Sequence, residues 1–157
     1  MDMERVHNTQ STTEYPKLIV FDLDLTLCEH RDSCKIHLGI ASRTEVTDWA
    51  TELLHTLQIH SWFDWIQIYP GSKKKHYKYF AEKLVEDEAV MEKSNSFSQV
   101  YHKMIFYDDK KRNIHEIGQL GVSCVHCEEG LNIEKFMEGL KLFKRSLLSV
   151  LINYGLN

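Results

Sequence analysis

The sequence predicts an α/β protein built on a doubly wound, mostly parallel five-stranded sheet. Three observations predict it. Short continuous apolar runs recur along the chain, amphipathic stretches of helical period separate them, and polar residues stand directly after successive runs. Continuous rather than alternating runs are what strands buried on both faces of a parallel sheet require.

Leu18-Ile19-Val20-Phe21 is the first such run, and Ile36 to Ala41 is the second. After it Thr44 is placed to cap a helix in which Val46, Trp49, Ala50, Leu53, Leu54 and Leu57 recur at helical spacing. Trp65 to Tyr69 reads as the third strand, closed by Pro70-Gly71, and Lys73 to about Met91 as a helix with Tyr77, Phe80, Ala81, Leu84 and Val85 on one face. The Ser- and Asn-rich stretch from Glu92 to Gln99 reads as a loop. Met104 to Tyr107 is the fourth strand, followed by a short helix through Ile114 and Ile117 that stops at Gly121. Val122 to His126 is the fifth. Ile133 to about Ile152 closes the chain as a helix with Phe136, Met137, Leu140, Phe143, Leu147, Leu148 and Leu151 as its stripe.

The bulk numbers agree with a packed domain. With 157 residues, 43% hydrophobic and 27% charged, the chain can bury a core and is neither disordered nor fibrous. Residues 1–15 are polar and read as a disordered lead, leaving 16–153 as one domain. The net charge of −4 argues against a nucleic-acid partner. Lys73-Lys74-Lys75, the densest basic run, reads as the solvated start of a helix. No stretch approaches the roughly 18 apolar residues of a membrane span, and the N-terminus lacks an apolar signal core. A cytoplasmic monomer with reduced cysteines is the expectation. Cys124-Val125-His126-Cys127 has the spacing of half a zinc site that Cys28 and Cys34 could complete. The strand reading of Val122 to His126 favours buried thiols instead.

In doubly wound sheets ligands bind beyond the carboxyl ends of the strands, so what each strand delivers there is what matters. Strand one delivers Asp22-Leu23-Asp24-Leu25-Thr26, strand two Ser42-Arg43-Thr44, strand three Pro70-Gly71-Ser72-Lys73, and strand four Asp108-Asp109. Taken singly, these are helix caps, turn residues and solvent-facing lysines. Jointly they compose a phosphoryl-transfer site. A carboxylate attacking a phosphate dianion needs cations first. Asp22, Asp24 and Asp109 form a hard oxygen set suited to Mg²⁺, Lys73 adds a fixed positive charge, and Ser42 adds a hydroxyl donor. Asp22 and Asp24, two apart on an extended chain, project to one side. One can serve as nucleophile and the other as acid and then base. A two-component receiver domain uses similar residue types, but the order of the motifs excludes it.

These residues resemble the four motifs of the haloacid-dehalogenase (HAD) superfamily: Asp22 to Thr26, Ser42, Lys73 and Asp108-Asp109. The resemblance extends to Phe21–Leu27, Ala41–Thr44, Ile68–Lys73, Phe106–Asp109 with Arg112-Asn113, Leu120–Val122 and Gly130-Leu131, and runs from about Pro16 to Phe143. It implies a HAD-like sheet and a metal-dependent phosphomonoesterase acting on aryl phosphates, phosphotyrosine or protein-linked sugar phosphates. Asp22 would form an aspartyl-phosphate and Asp24 would be the proton donor and base. Mg²⁺ would bind Asp22, the backbone carbonyl of Asp24, and Asp109; substrate phosphate would contact Ser42, Arg43 and Lys73.

One feature departs from the superfamily pattern. Only the seven residues Cys28 to Cys34 lie between Leu27 and Lys35, where relatives carry a cap hairpin and the first crossover helix. Seven extended residues reach at most about 25 Å, enough to return along one strand and too short for a helix as well. The pattern is that of an internal deletion, such as an alternatively spliced product or a faulty gene model gives, and it predicts a bare apolar face on the sheet. Two functions stand open: an active phosphatase, and a catalytically weak variant acting as a binding or regulatory protein.

Overall fold

The computed structural model describes residues 15–23, 36–89 and 97–153. Five strands run in the order β3-β2-β1-β4-β5, with β1 at Leu18–Phe21, β2 at His37–Ser42, β3 at Trp65–Ile68, β4 at Met104–Asp108 and β5 at Ser123–His126. Every neighbouring pair is parallel. The helices are α1 at Thr47–Thr56, α2 at Lys73–Ala89, α3 at Phe97–Tyr101, α4 at Lys111–Gly118 and α5 at Ile133–Asn153, with a single 3₁₀ turn at His60–Trp62. The five expected strands are all present, each within a residue or so of its predicted span.

The two-residue period of the strands divides the core. Leu18, Val20, Met104 and Phe106 face one way and pack with Tyr77, Phe80, Ala81 and Leu84 of α2, Val100 of α3 and Ile117 of α4. Ile19, Phe21, Ile105 and Tyr107 face the other way and pack with Leu54 of α1 and Phe143 of α5. Helices therefore cover both faces, the doubly wound arrangement.

Several local expectations are corrected. Thr44 does not cap α1: the N-cap is Val46, without a side-chain cap, and the Thr44 hydroxyl accepts from the Val46 N–H at 3.3 Å. The hydroxyl is spent on a tight local turn before the helix begins. Only Ala50 and Leu54 of the α1 stripe are buried, while Val46, Trp49 and Leu57 are exposed. Phe97 to Gln99, expected in a loop, begin α3. The stripe of α5 is likewise partial, with Phe143 buried and Met137 and Leu148 exposed.

On the sheet face expected to be bare, Ile19, Phe21 and Ile40 are buried, while Ile36, Leu38, Ile66 and Ile68 are partly exposed. The connection from β1 to β2 itself, residues 24–35, lies outside the described residues, and with it the expected loss of cap and crossover helix. So does the lead at residues 1–14. Among the described residues no helix is long and apolar enough to cross a membrane.

Candidate functional site

Strand register builds the site. Phe21 pairs with Tyr107, so the next residues, Asp22 and Asp108, leave adjacent central strands side by side. Both continue the rows of Val20 and Phe106, the rows facing α2 and α4. Ser42 ends the neighbouring strand β2, in register with Ile68. After β3, Gly71 takes a positive φ of 132°, a conformation that suits glycine, and turns the chain into α2. The first residue of α2 is Lys73, and its side chain runs inward rather than out to solvent.

Lys73 is only 1% exposed, yet its Nζ is fully engaged. Its Nζ donates to the Ala41 carbonyl at 2.6 Å, to Asp108 Oδ2 at 2.6 Å and to Asp22 Oδ1 at 3.2 Å. Three protons meet three acceptors, the condition under which a buried ammonium is tolerated. The Phe106 ring lies 5.0 Å from the same nitrogen.

Asp108 is saturated as well. Oδ1 accepts from the Lys110 N–H at 2.7 Å, and Asn113 Nδ2 lies 3.1 Å from Oδ1 and 2.9 Å from Oδ2, where Lys73 also binds. Asn113 is buried on α4, and its Oδ1 accepts from Arg43 Nη1 at 3.3 Å. One amide therefore joins the guanidinium after β2 to the carboxylate ending β4. Asp109 has turned out of the strand: its carboxylate pairs with Lys110 at 2.5 Å, and its carbonyl accepts from His126 Nε2 at 2.9 Å. Ser42 is buried and its Oγ accepts from the Thr44 N–H at 3.4 Å.

Charge is under tension here. Burial pushes the Asp22 carboxyl up to about 6, Lys73 opposes that shift and Asp108 adds to it. Asp22, Asp108 and Asp109 each offer a carboxylate oxygen within 4.8 Å of the others. That set suits a small hard cation, because hard divalent ions take oxygen donors and a second cation would relieve the crowding. Asp108 already has its donors, so Asp22 and Asp109 are the members with coordination to spare.

The structure thus brings together Asp22, Ser42, Arg43, Lys73 and Asp109 on one rim. Asp24, the other predicted member, lies outside the described residues. Sequence reading missed the network roles of Asp108, Asn113 and His126. The spacing Asp108 to Asn113, which places an amide in the first turn of α4, was the available signal. His76 was also missed: it is fully buried on α2, edge-on to Tyr69 with ring centroids 4.2 Å apart, and neither ring nitrogen has a hydrogen-bond partner. Cys124 and Cys127 pack in the two opposite core clusters, so this C-x-x-C does not converge on a metal.

Residues 28–146 match the acid phosphatase family. Human magnesium-dependent phosphatase 1 is 36% identical over 106 residues, which cover 68% of this chain and 53% of that protein. The chain thus spans about half the length of that relative. A HAD-like hydrolase superfamily protein of Schizosaccharomyces pombe is 25% identical over 190 residues, covering 90% of this chain and 95% of the relative.

Proposed function

The chain belongs to the acid phosphatase family within the HAD superfamily, and from that premise we propose that it is a Mg²⁺-dependent phosphomonoesterase using Asp22 as nucleophile. The observation that carries this reading is Lys73 Nζ held between Asp22 and Asp108 beside Asp109, at the carboxyl ends of the central strands. The substrate class we propose is an aryl phosphate, phosphotyrosine or a protein-linked sugar phosphate.

The Leu23 N–H, at 3.0 Å, and Lys73 both hold Asp22 Oδ1, which leaves Oδ2 to attack phosphorus. As the Oδ2–P bond forms, the bond from phosphorus to the leaving oxygen breaks, and Asp24 gives that oxygen a proton. Asp24 then takes a proton from water as the water attacks phosphorus, the Oδ2–P bond breaks, and phosphate leaves. Lys73, Arg43 and the Ser42 hydroxyl donate to the phosphoryl oxygens, and the Lys73 N–H that points at Asp22 at rest is the one a phosphoryl oxygen accepts from. Asp22, Asp109 and the carbonyl of Asp24 would hold Mg²⁺, which supplies Lewis-acid neutralisation of the phosphate charge.

Turnover of p-nitrophenyl phosphate with and without Mg²⁺ tests the reading. We expect Mg²⁺-dependent release of p-nitrophenol, and a loss of at least roughly a thousandfold in kcat for Asp22→Asn. Near-wild-type activity of that variant would sink the nucleophile assignment. No turnover alongside intact Mg²⁺ binding would favour a binding protein.

A further inference from the structure

Glu116 has no part in the chemistry above, yet it is the partner of the residue that starts the Lys73 helix. The Ser72 hydroxyl does two things at once. It accepts from the Lys74 N–H at 3.2 Å, capping the first turn of α2, and it donates its proton to Glu116 Oε1. The Ser72 carbonyl accepts from the Lys75 N–H at 3.0 Å, so Ser72 is built into the helix start on both its groups. Just before it, Gly71 sits at a φ of 132° with nothing within 4 Å of where a Cβ would be. No side chain packs over Gly71, and the contact with α4 ties down the turn that delivers Lys73.

Helix α4 reaches the site twice on one face. Asn113 and Glu116 are three residues apart and therefore neighbours on the helix surface. Asn113 holds Arg43 and Asp108, Glu116 holds Ser72, and Ile117 seats the helix in the core. Lys73 has little tolerance for displacement, because its three acceptors already lie at 2.6, 2.6 and 3.2 Å. We propose that Glu116 is a positioning residue for Lys73, acting through the Ser72 hydroxyl. With Asn113 it makes α4 the plate that sets both phosphate-binding cations in register. The inference rests on the phosphatase reading of the site.

A double-mutant cycle on the full chain tests it, reading kcat/KM for p-nitrophenyl phosphate and the melting shift produced by inorganic phosphate. Glu116→Ala and Ser72→Ala should each lower kcat/KM roughly tenfold and shrink the phosphate shift, and the double variant should be no worse than the weaker single. Glu116→Gln keeps the accepting oxygen and should stay within about threefold of wild type. Additive losses, or a Glu116→Ala protein that melts lower with unchanged kcat/KM and phosphate shift, would overturn the proposal. If the wild type shows no turnover but keeps its phosphate shift, the catalytic reading fails while the cycle on the shift still decides the role of Glu116. Absence of both overturns the site and this inference together.

Discussion

Lys73 and Asp108 form a buried ion pair 2.6 Å long, with the carboxylate wholly inaccessible and the ammonium nearly so. A buried pair adds little net stability when intact, because desolvation offsets attraction, but removing one partner leaves an uncompensated charge.

Lys73→Met should therefore cost about 3–5 kcal/mol of stability and abolish turnover. Lys73→Met/Asp108→Asn should recover part of that stability with no activity, read as midpoints of urea unfolding. A double variant as unstable as Lys73→Met alone would mean that the pair is not what the single variant breaks.

Mg²⁺ should raise the melting temperature, since a ligand bound only by the native state stabilises it by about 2.7 kcal/mol at a hundred times its Kd. Asp109→Asn should remove that shift with little effect on the ion-free protein, because among the described residues its carboxylate pairs with exposed Lys110 alone. An Asp109→Asn protein that still responds fully to Mg²⁺ would place the ion elsewhere.

The strands and the rim were legible because they depend on local signals. Leu18 to Phe21 and Met104 to Tyr107 are apolar at every position, which only a strand covered on both faces tolerates. Asp22 and Asp109 follow such strands directly, Ser42 closes β2, and Lys73 comes after the short turn that ends β3; strand ends are where the fold gathers ligand-binding groups. Asn113 and Glu116 were opaque for the opposite reason. On a short polar helix they look like its solvated face, and only the packing of α4 against α2 and β4 turns them inward. His76 was hidden likewise among three lysines. The α1 stripe misled because helical spacing reports a period and not what lies opposite; Trp49 fits the period and is 61% exposed.

Burial of His76 has a pH signature. Burial first and the Lys73 ammonium second push its ionisation down to about 4, against an ordinary 6.5. As pH falls from 6.5 towards 4 the unfolded chain gains a proton that the fold refuses. Stability from this side chain is then lost on acidification, by up to about 3 kcal/mol. Asp22 works the other way, since a carboxyl raised to about 6 is protonated more readily when folded. His76→Phe, which also removes two unpartnered nitrogens, should thus match or exceed wild-type stability at pH 7.5, with a larger advantage at pH 5 in Mg²⁺-free buffer. The same difference at both pH values would show that His76 is not held neutral.

Gly139 supplies the last prediction, because it lets α5 cross β4 closely. The Tyr107 hydroxyl donates to the Phe136 carbonyl at 2.8 Å, and its ring stacks on Phe21 at 5.4 Å and Phe136 at 5.8 Å. Phe21 and Tyr107 immediately precede Asp22 and Asp108, so this stack fixes, from the opposite face of the sheet, the strand ends that carry the two carboxylates. Glycine inside a helix ordinarily costs about 1 kcal/mol relative to alanine, so Gly→Ala there is normally stabilising. Here an added Cβ would run into the Tyr107 hydroxyl and stand 2.7 Å from its Cζ. Gly139→Ala should instead destabilise by about 1–3 kcal/mol, the cost of overpacking. Tyr107→Phe removes the nearest clashing atom along with one hydrogen bond, itself worth about 1 kcal/mol. The double variant should consequently be less destabilised than the sum of the singles, a coupling that urea unfolding resolves. A higher melting temperature for Gly139→Ala would mean that α5 can lift off the sheet at little cost, and that its close approach does not support the site.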